Sequence, residues 1–226
     1  MTYYFVLPFK DRNGKYQTAL DNFIAPFCEY IKNNINNYEI IIIEQSGGQT
    51  YNGGEELFNL GRTINIGYDI LKNKINQDDA FIFHPVDILP IDTDYNIVCT
   101  TKFCCTTHSA SGEYYKGLGF IVKDFIAVNG FNNDMWGWGG EDDEMKKRLN
   151  LHNILVDTNI NQYKLLCDDG NGTVATGHYM PTHSLNLNKL NDINTPDDCF
   201  KSGLNTLEYK IIKQDIYKGL KKYIII

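Results

Sequence analysis

The sequence predicts an α/β fold in which a mostly parallel central sheet is flanked by helices. Three observations carry that reading. Residues 3–7, 38–43 and 80–83 are short apolar runs without polar alternation, as expected of strands buried on both faces. Stretches with apolar residues at helical spacing lie between them. The resulting β-α-β-α-β order sets parallel strands side by side through right-handed crossovers.

Each element has its own signal. Residues 3–7 form the first strand, which the pattern ends at Pro8. Residues 16–31 carry Ala19, Phe23, Phe27, Tyr30 and Ile31 at roughly helical spacing. Residues 38–43 are an isoleucine-rich run that suits a buried strand. Gln45-Ser46-Gly47-Gly48 through Gly53-Gly54 is a glycine-rich loop. Residues 55–71 read as a helix with acidic residues in its first turn, where the helix dipole favours them. Residues 80–83 are a third buried strand. The second half is less regular. It holds a Gly/Trp-rich loop at 129–140, a charged helix at 141–149 and a strand near 154–156. The tail at 208–226 alternates enough to be strand and short helix.

Composition narrows the classes of function. The 226 residues are 42% hydrophobic and 22% charged, ordinary globular usage that excludes a disordered or collagen-like chain. A net charge of −7 argues against nucleic acid as a partner, since a broad cationic face is needed to neutralise phosphates. No apolar run is long enough for a transmembrane segment. The N-terminus lacks a cationic region and a cleavage site, so it reads as a core strand rather than a signal peptide. The six cysteines form no CxxC pair, and buried free thiols are the simplest reading.

Ligands of open α/β sheets bind at the carboxyl ends of the strands. After the third strand stands His84-Pro85-Val86-Asp87, and an aspartate there can hold a divalent metal together with phosphate oxygens. Met180-Pro181-Thr182-His183 offers a thioether and an imidazole, which with an aspartate would suit Mn²⁺ better than Ca²⁺. The densest segment is residues 129–144, Asn-Gly-Phe-Asn-Asn-Asp-Met-Trp-Gly-Trp-Gly-Gly-Glu-Asp-Asp-Glu. Its tryptophans have flat faces that stack on sugar rings. Its carboxylates stand at a helix N-terminus, where one can act as a general base toward a hydroxyl.

That segment closely resembles the hallmark of the β-1,4-galactosyltransferases, glycosyltransferase family 7: N-G-F, a short spacer, then W-G-W-G-G-E-D-D. Other segments resemble the family's in the same order. Pro8-Phe9-Lys10-Asp11-Arg12 is similar to P-F-R-x-R, and Phe58-Asn59-Leu60-Gly61-Arg62-Thr63-Ile64-Asn65-Ile66-Gly67 to F-N-R-A-x-x-x-N-x-G. Residues 83–90 are similar to F-x-D-V-D-x-x-P, residues 180–184 to M-x-x-H-S, and residues 201–207 to S-D-G-L-N-S-L. The resemblance runs from about Tyr3 to about Tyr217.

The resemblance implies one GT-A domain over 1–226, with a nucleotide-binding half at 1–90 and an acceptor-binding, catalytic half at 91–226. It implies inverting transfer of a hexose, galactose or N-acetylhexosamine, from a UDP-sugar to a glycan hydroxyl, with a β-linkage expected at the 4-position. It implies Mn²⁺, with Mg²⁺ as the alternative, held by Asp87, Met180 and His183. Pro8, Phe9, Arg12, Phe58, Arg62, Asp87 and Trp138 correspond to donor contacts. Tyr114, Gly117, Trp138, Gly139, Gly140 and Asp143 correspond to acceptor contacts. Asp142 corresponds to the catalytic base, with Glu141 beside it.

This chain departs from the family pattern at defined positions. The first aspartate of D-V-D is Pro85, the arginine of F-N-R is Leu60, and the first arginine of P-F-R-x-R is Lys10. These changes fall on the donor side, so a non-catalytic carbohydrate- or nucleotide-binding protein is the alternative reading. Tyr114-Tyr115-Lys116-Gly117 is similar to the family's Y-F-G-G, with Lys116 for a glycine; Tyr114 would then stand where the family separates galactose from N-acetylgalactosamine. A family cysteine before the D-V-D strand is Ala80, which leaves Cys99 without its disulfide partner. A lost disulfide half suits a reducing compartment, and the expected location is the cytoplasm.

Overall fold

The computed structural model describes residues 1–11, 16–54, 56–93, 95, 101–109, 112–137, 139–158, 162–166 and 180–226. For residues 92, 101–109, 112–118, 156–158, 162–165, 180 and 181 the description is of the backbone. The elements in order are β1 (Tyr3–Phe9), α1 (Gln17–Asn34), β2 (Tyr38–Gln45), α2 (Leu60–Leu71), β3 (Ala80–Phe83), β4 (Ile88–Asp92), β5 (Thr101–Ser109), β6 (Gly112–Ile121), α3 (Val122–Ala127) and α4 (Glu141–Leu151). They continue with β7 (Val156–Thr158), β8 (Gln162–Leu165), α5 (Met180–Leu190), 3₁₀ turns at Pro196–Lys201 and Leu204–Thr206, β9 (Ile211–Tyr217) and β10 (Leu220–Ile225).

Among the described residues one eight-stranded sheet has the order β7-β5-β6-β3-β1-β2-β10-β9, and β4 pairs with β8 apart from it. The centre, β3-β1-β2-β10, is parallel. On one side β6 and β5 are antiparallel, and on the other β9 returns antiparallel to β10. The expected parallel sheet is therefore its middle.

Alternate side chains of the central strands feed two cores. Phe5, Leu7, Phe9, Ile40, Ile42 and Ile82 pack under α1 through Leu20, Phe23, Ile24, Phe27 and Ile31. Tyr4, Val6, Ile41, Ile43, Phe81 and Phe83 pack against Ile64 and Ile66 of α2, Phe125 of α3, and Met145 and Leu149 of α4. Burial on both faces is why these strands lack polar alternation. At Gly67 an added Cβ would lie 2.5 Å from Val6 Cγ1, so α2 rests directly on β1.

Three expectations need correction. The first strand runs through Pro8 to Phe9. Beyond Val6, β1 is paired with β2 alone, so proline's missing N–H leaves no gap on the β3 side. The helix expected from residue 55 starts at Leu60. Its upstream residues bond elsewhere: Leu57 N–H donates to Gln49 O at 2.7 Å, and Asn59 N–H donates to Gln45 Oε1 at 2.8 Å. The tail at 208–226 contains a hairpin and no helix, because Lys218 (φ 48°) and Gly219 (φ 87°) make a tight left-handed turn. The strand expected near 154–156 is β7, parallel to β5. Among the described residues no helix is long and apolar enough to cross a membrane.

Candidate active site

The carboxyl ends of β1, β2, β3 and β10 share one edge of the sheet. Pro8 and Phe9 close β1, and both are buried; Phe9 is a core residue of the α1 face. Lys10 follows, buried, and donates to Gly47 O at 2.9 Å and Glu56 Oε2 at 3.1 Å. The glycine-rich loop after β2 is thereby tied to β1. Gln45 at the end of β2 holds the same loop, donating from Nε2 to Gly47 O at 2.6 Å and Leu57 O at 2.9 Å. Asp87 stands four residues beyond the end of β3, half-buried, and its carbonyl accepts from Leu166 N–H at 2.8 Å.

The Trp-Gly segment is clamped between α2 and α5. Gly137 N–H donates to Phe58 O at 2.8 Å. Asn186 of α5 donates from Nδ2 to Trp136 O at 3.1 Å and Gly139 O at 2.9 Å. Arg62 places its guanidinium 5.9 Å from the Trp136 ring centroid and donates to Glu208 O. Gly139 (φ 91°) and Gly140 (φ 90°) take left-handed conformations that other residues rarely adopt. At Gly139 an added Cβ would lie 2.4 Å from His183 Cδ2, so the imidazole is flush against this backbone. The glycine pair thus brings His183 beside the N-terminus of α4.

Burial sorts the carboxylates of α4. Glu141 and Asp142 are half-buried and Asp143 is exposed, all in the first turn where the helix dipole favours negative charge. Glu144 is fully buried and pairs with Arg148, one helical turn on, at 2.8 and 2.9 Å. Burial pushes the Glu144 carboxyl above its ordinary range, and the Arg148 guanidinium partly offsets this. Arg148 also donates to the carbonyls of Val128, Gly130, Cys199 and Ser202. The pair anchors the helix and the chain leading into it.

Asparagines complete this frame. Asn59 caps α2 by accepting from Arg62 N–H at 2.9 Å and donates to Asn133 O at 2.6 Å. Asn65 brackets Phe131 through both N–H and C=O. Asn129 holds Asn205 and Cys199 O, and Asn133 holds Gly203 O. Segments far apart in the chain are therefore joined by buried amides. Phe58 and Arg62 are expected donor contacts and Trp136 an expected sugar-stacking face, whereas the sequence assigns Asn59, Asn65, Asn133 and Asn186 no role. The Glu144–Arg148 spacing of four was the available signal.

Of the remaining sequence-derived positions, Arg12 and Trp138 lie outside the described residues, as do Cys99 and the side chains of Met180 and Tyr114. Tyr114 and Gly117 sit on β6 opposite Thr107 and Cys105 of β5. Met180 opens α5, with His183 one turn along on the same helix face. Among the described residues no three carboxylates, imidazoles or thiols cluster into a metal site by themselves.

Comparison with known proteins agrees with this architecture. The pattern described as the N-terminal region of glycosyl transferase group 7 matches residues 2–100, and that described as the N-terminal domain of galactosyltransferase matches residues 111–164. The chain belongs to glycosyltransferase family 7. Among family 7 relatives, β-1,4-galactosyltransferase 4 of Cricetulus griseus is 32% identical over 162 residues, 67% of this chain and 43% of the relative. β-1,4-galactosyltransferase 2 of Mus musculus is 29% identical over 192 residues, 78% of this chain and 47% of the relative. The matched stretch spans less than half the length of these relatives. The catalytic domain of Drosophila β1,4-galactosyltransferase 7 in complex with xylobiose superposes with a TM-score of 0.73 at 20% identity, covering 100% of this chain and 93% of that one. A mutant of that enzyme in complex with manganese, UDP-Gal and xylobiose gives 0.71 at 18% identity, covering 100% and 94%. This family 7 chain has the GT-A fold.

Proposed function

We propose that the protein is an inverting, metal-dependent hexosyltransferase that moves a sugar from a UDP-sugar to a glycan hydroxyl. The observation that carries this is the half-buried Glu141–Asp142 pair at the N-terminus of α4, set beside His183 by Gly139. The names of the relatives support galactose as the sugar, and N-acetylhexosamine is the competing donor. The neighbouring enzyme's complex with manganese, UDP-Gal and xylobiose supports a UDP-sugar and a glycan as partners.

In this reading Asp142 accepts the proton of the acceptor hydroxyl, which attacks the sugar carbon from the face opposite the diphosphate. Glu141 and Asp143 bind sugar hydroxyls. Pro8 and Phe9 support the uridine, with Arg12 beyond them, and Trp138 closes over donor and acceptor to exclude water. A carboxylate, an imidazole and a thioether form a donor set of the borderline softness that Mn²⁺ accepts, so Asp87, His183 and Met180 are the residues that would hold it. The metal would act as a Lewis acid toward the leaving diphosphate. Tyr114 and Gly117 would line the sugar site from β6. Residues 1–90 would serve the nucleotide and 91–226 the acceptor.

A second reading, a carbohydrate- or nucleotide-binding protein without turnover, is favoured by Pro85 and by the engagement of Lys10 with Glu56. Titration of UDP with Mn²⁺ and again with EDTA, followed by a UDP-sugar and acceptor panel, separates the two. Metal-dependent UDP binding with sugar transfer supports the enzyme, and binding without turnover supports the second reading. Asp142→Asn should lower turnover at least ~10²-fold while UDP still binds; retained turnover would refute the base assignment.

A further inference from the structure

β9 is the outer strand of the sheet, and among the described residues no strand pairs with its free edge. Edge strands usually carry charges or bulges that discourage pairing with another chain. β9 carries both devices, Lys213 and Asp215 and a bulge opposite its start, but its charges are arranged symmetrically. The segment Ile212-Lys213-Gln214-Asp215-Ile216 is symmetric about Gln214, with an isoleucine at each end and opposite charges at the inner positions. Ile212 and Ile216 are 52% and 63% exposed.

The hairpin determines which backbone groups face outward. Tyr217 and Leu220 flank a two-residue turn, so they exchange hydrogen bonds across it. Alternation then points the N–H and C=O of Asp215 toward β10, and those of Ile216 and Gln214 outward. The Ile216 N–H accordingly turns away from β10 and donates to Asp215 Oδ1 at 2.8 Å, a bond that pairing with a second strand exchanges for one to the facing carbonyl. A bulge next to Ile225 leaves Ile212 without a partner on β10, marking the end of the segment available for pairing.

We infer that β9 is a homodimerisation edge, pairing antiparallel with β9 of a second copy about a two-fold axis at Gln214. In that register Gln214 meets Gln214 of the partner subunit as a hydrogen-bonded pair. Ile212 lies opposite Ile216 of the partner subunit, and Lys213 lies opposite Asp215 of the partner subunit. Lys213 and Asp215 already pair within one strand at 2.6 Å, so dimerisation builds an alternating set of charges from two such pairs. A shift by one residue would set like or unmatched groups opposite each other and turn side chains to the wrong face. Pairing extends the sheet in its own plane and leaves the carboxyl ends of the strands accessible. Two seven-residue strands cover less than the ~1,600 Å² of a standard stable interface, so the dimer depends on concentration.

The test is solution mass across a wide concentration series, on the whole chain. The wild type should rise twofold, from one chain to two. Lys213→Glu and Asp215→Lys should each remain monomeric, because each sets like charges opposite in its own homodimer. An equimolar mixture should regain the twofold rise, since every cross-pair is then complementary. Gln214→Pro, which removes an outward N–H and spares the β10 ladder, should also remain monomeric. Circular dichroism identifies any variant that fails to fold. A wild type that stays monomeric throughout overturns the inference. So do charge variants that dimerise like the wild type, or a mixture of folded variants that stays monomeric.

Discussion

At the scale of single residues, Gly139 and the Glu144–Arg148 pair show how one atom's position bears on function. Gly139 has no room for a methyl group: a Cβ would meet His183 Cδ2 at 2.4 Å. Gly139→Ala adds roughly 1–2 kcal/mol of left-handed strain and displaces the imidazole. Gly53→Ala is its control, since Gly53 also has a positive φ (72°) and nothing within 4 Å of a Cβ. The expected outcome is weaker Mn²⁺-dependent UDP binding for Gly139→Ala and unchanged binding for Gly53→Ala, measured by titration calorimetry. Equal binding in both would separate His183 from the metal. Arg148→Met leaves Glu144 buried without its guanidinium and should cost about 3–5 kcal/mol in denaturant unfolding. Removing both charges, with Glu144→Gln added, should cost less than the sum of the two single changes, because neither partner is then stranded.

At the scale of elements, helix α2 begins where its cap is, not where acidic residues first occur. Glu56 is drawn to Lys10, and Gln45 holds Leu57 and Asn59 in an extended path. Asn59 ends that path by accepting from Arg62 N–H while its amide reaches Asn133 O. Asn59→Ala removes a cap and orphans two backbone groups, an expected loss of about 2–3 kcal/mol by thermal or denaturant melting. Asn133 also belongs to the loop that leads into α4. The same variant should therefore lower turnover beyond what its folded fraction explains. A loss of stability with turnover per folded molecule intact would show that α2 and the loop are independent.

At the scale of the whole molecule, stability should fall on mild acidification through His84. This imidazole is fully buried after β3, stacked near Phe23 and Phe27 and bonded to Pro85 O at 2.8 Å. Burial lowers its pKa to about 4 from an ordinary value of 6.5. The unfolded chain takes up this proton first, so stability is full above pH 6.5 and declines as pH falls toward 4. The loss approaches ~3 kcal/mol at the acid end, at 1.36 kcal/mol per pH unit. His84→Phe should flatten that part of the stability–pH curve; an unchanged slope would place the titration elsewhere.

Much of the architecture was legible in the chain because it rests on local signals. Both-face burial writes continuous apolar runs, so β1, β2 and β3 could be read directly, and the dipole at a helix start explains four acids opening α4. The antiparallel strands β5 and β6 were not read, and the tail was taken as part helix, because pairing partners are chosen by distant contacts rather than by short-range pattern. The sequence by itself determined the α/β class, the acidic helix start and the residue types available for chemistry. The tertiary structure alone decided which of those acids is a buried anchor and which remain half-open, that Lys10 is engaged by Glu56, and that Gly139 holds His183. The physical reason is that burial and ion pairing belong to neighbours brought together by folding. Adjacent carboxylates, Asp143 and Glu144, therefore end in opposite environments.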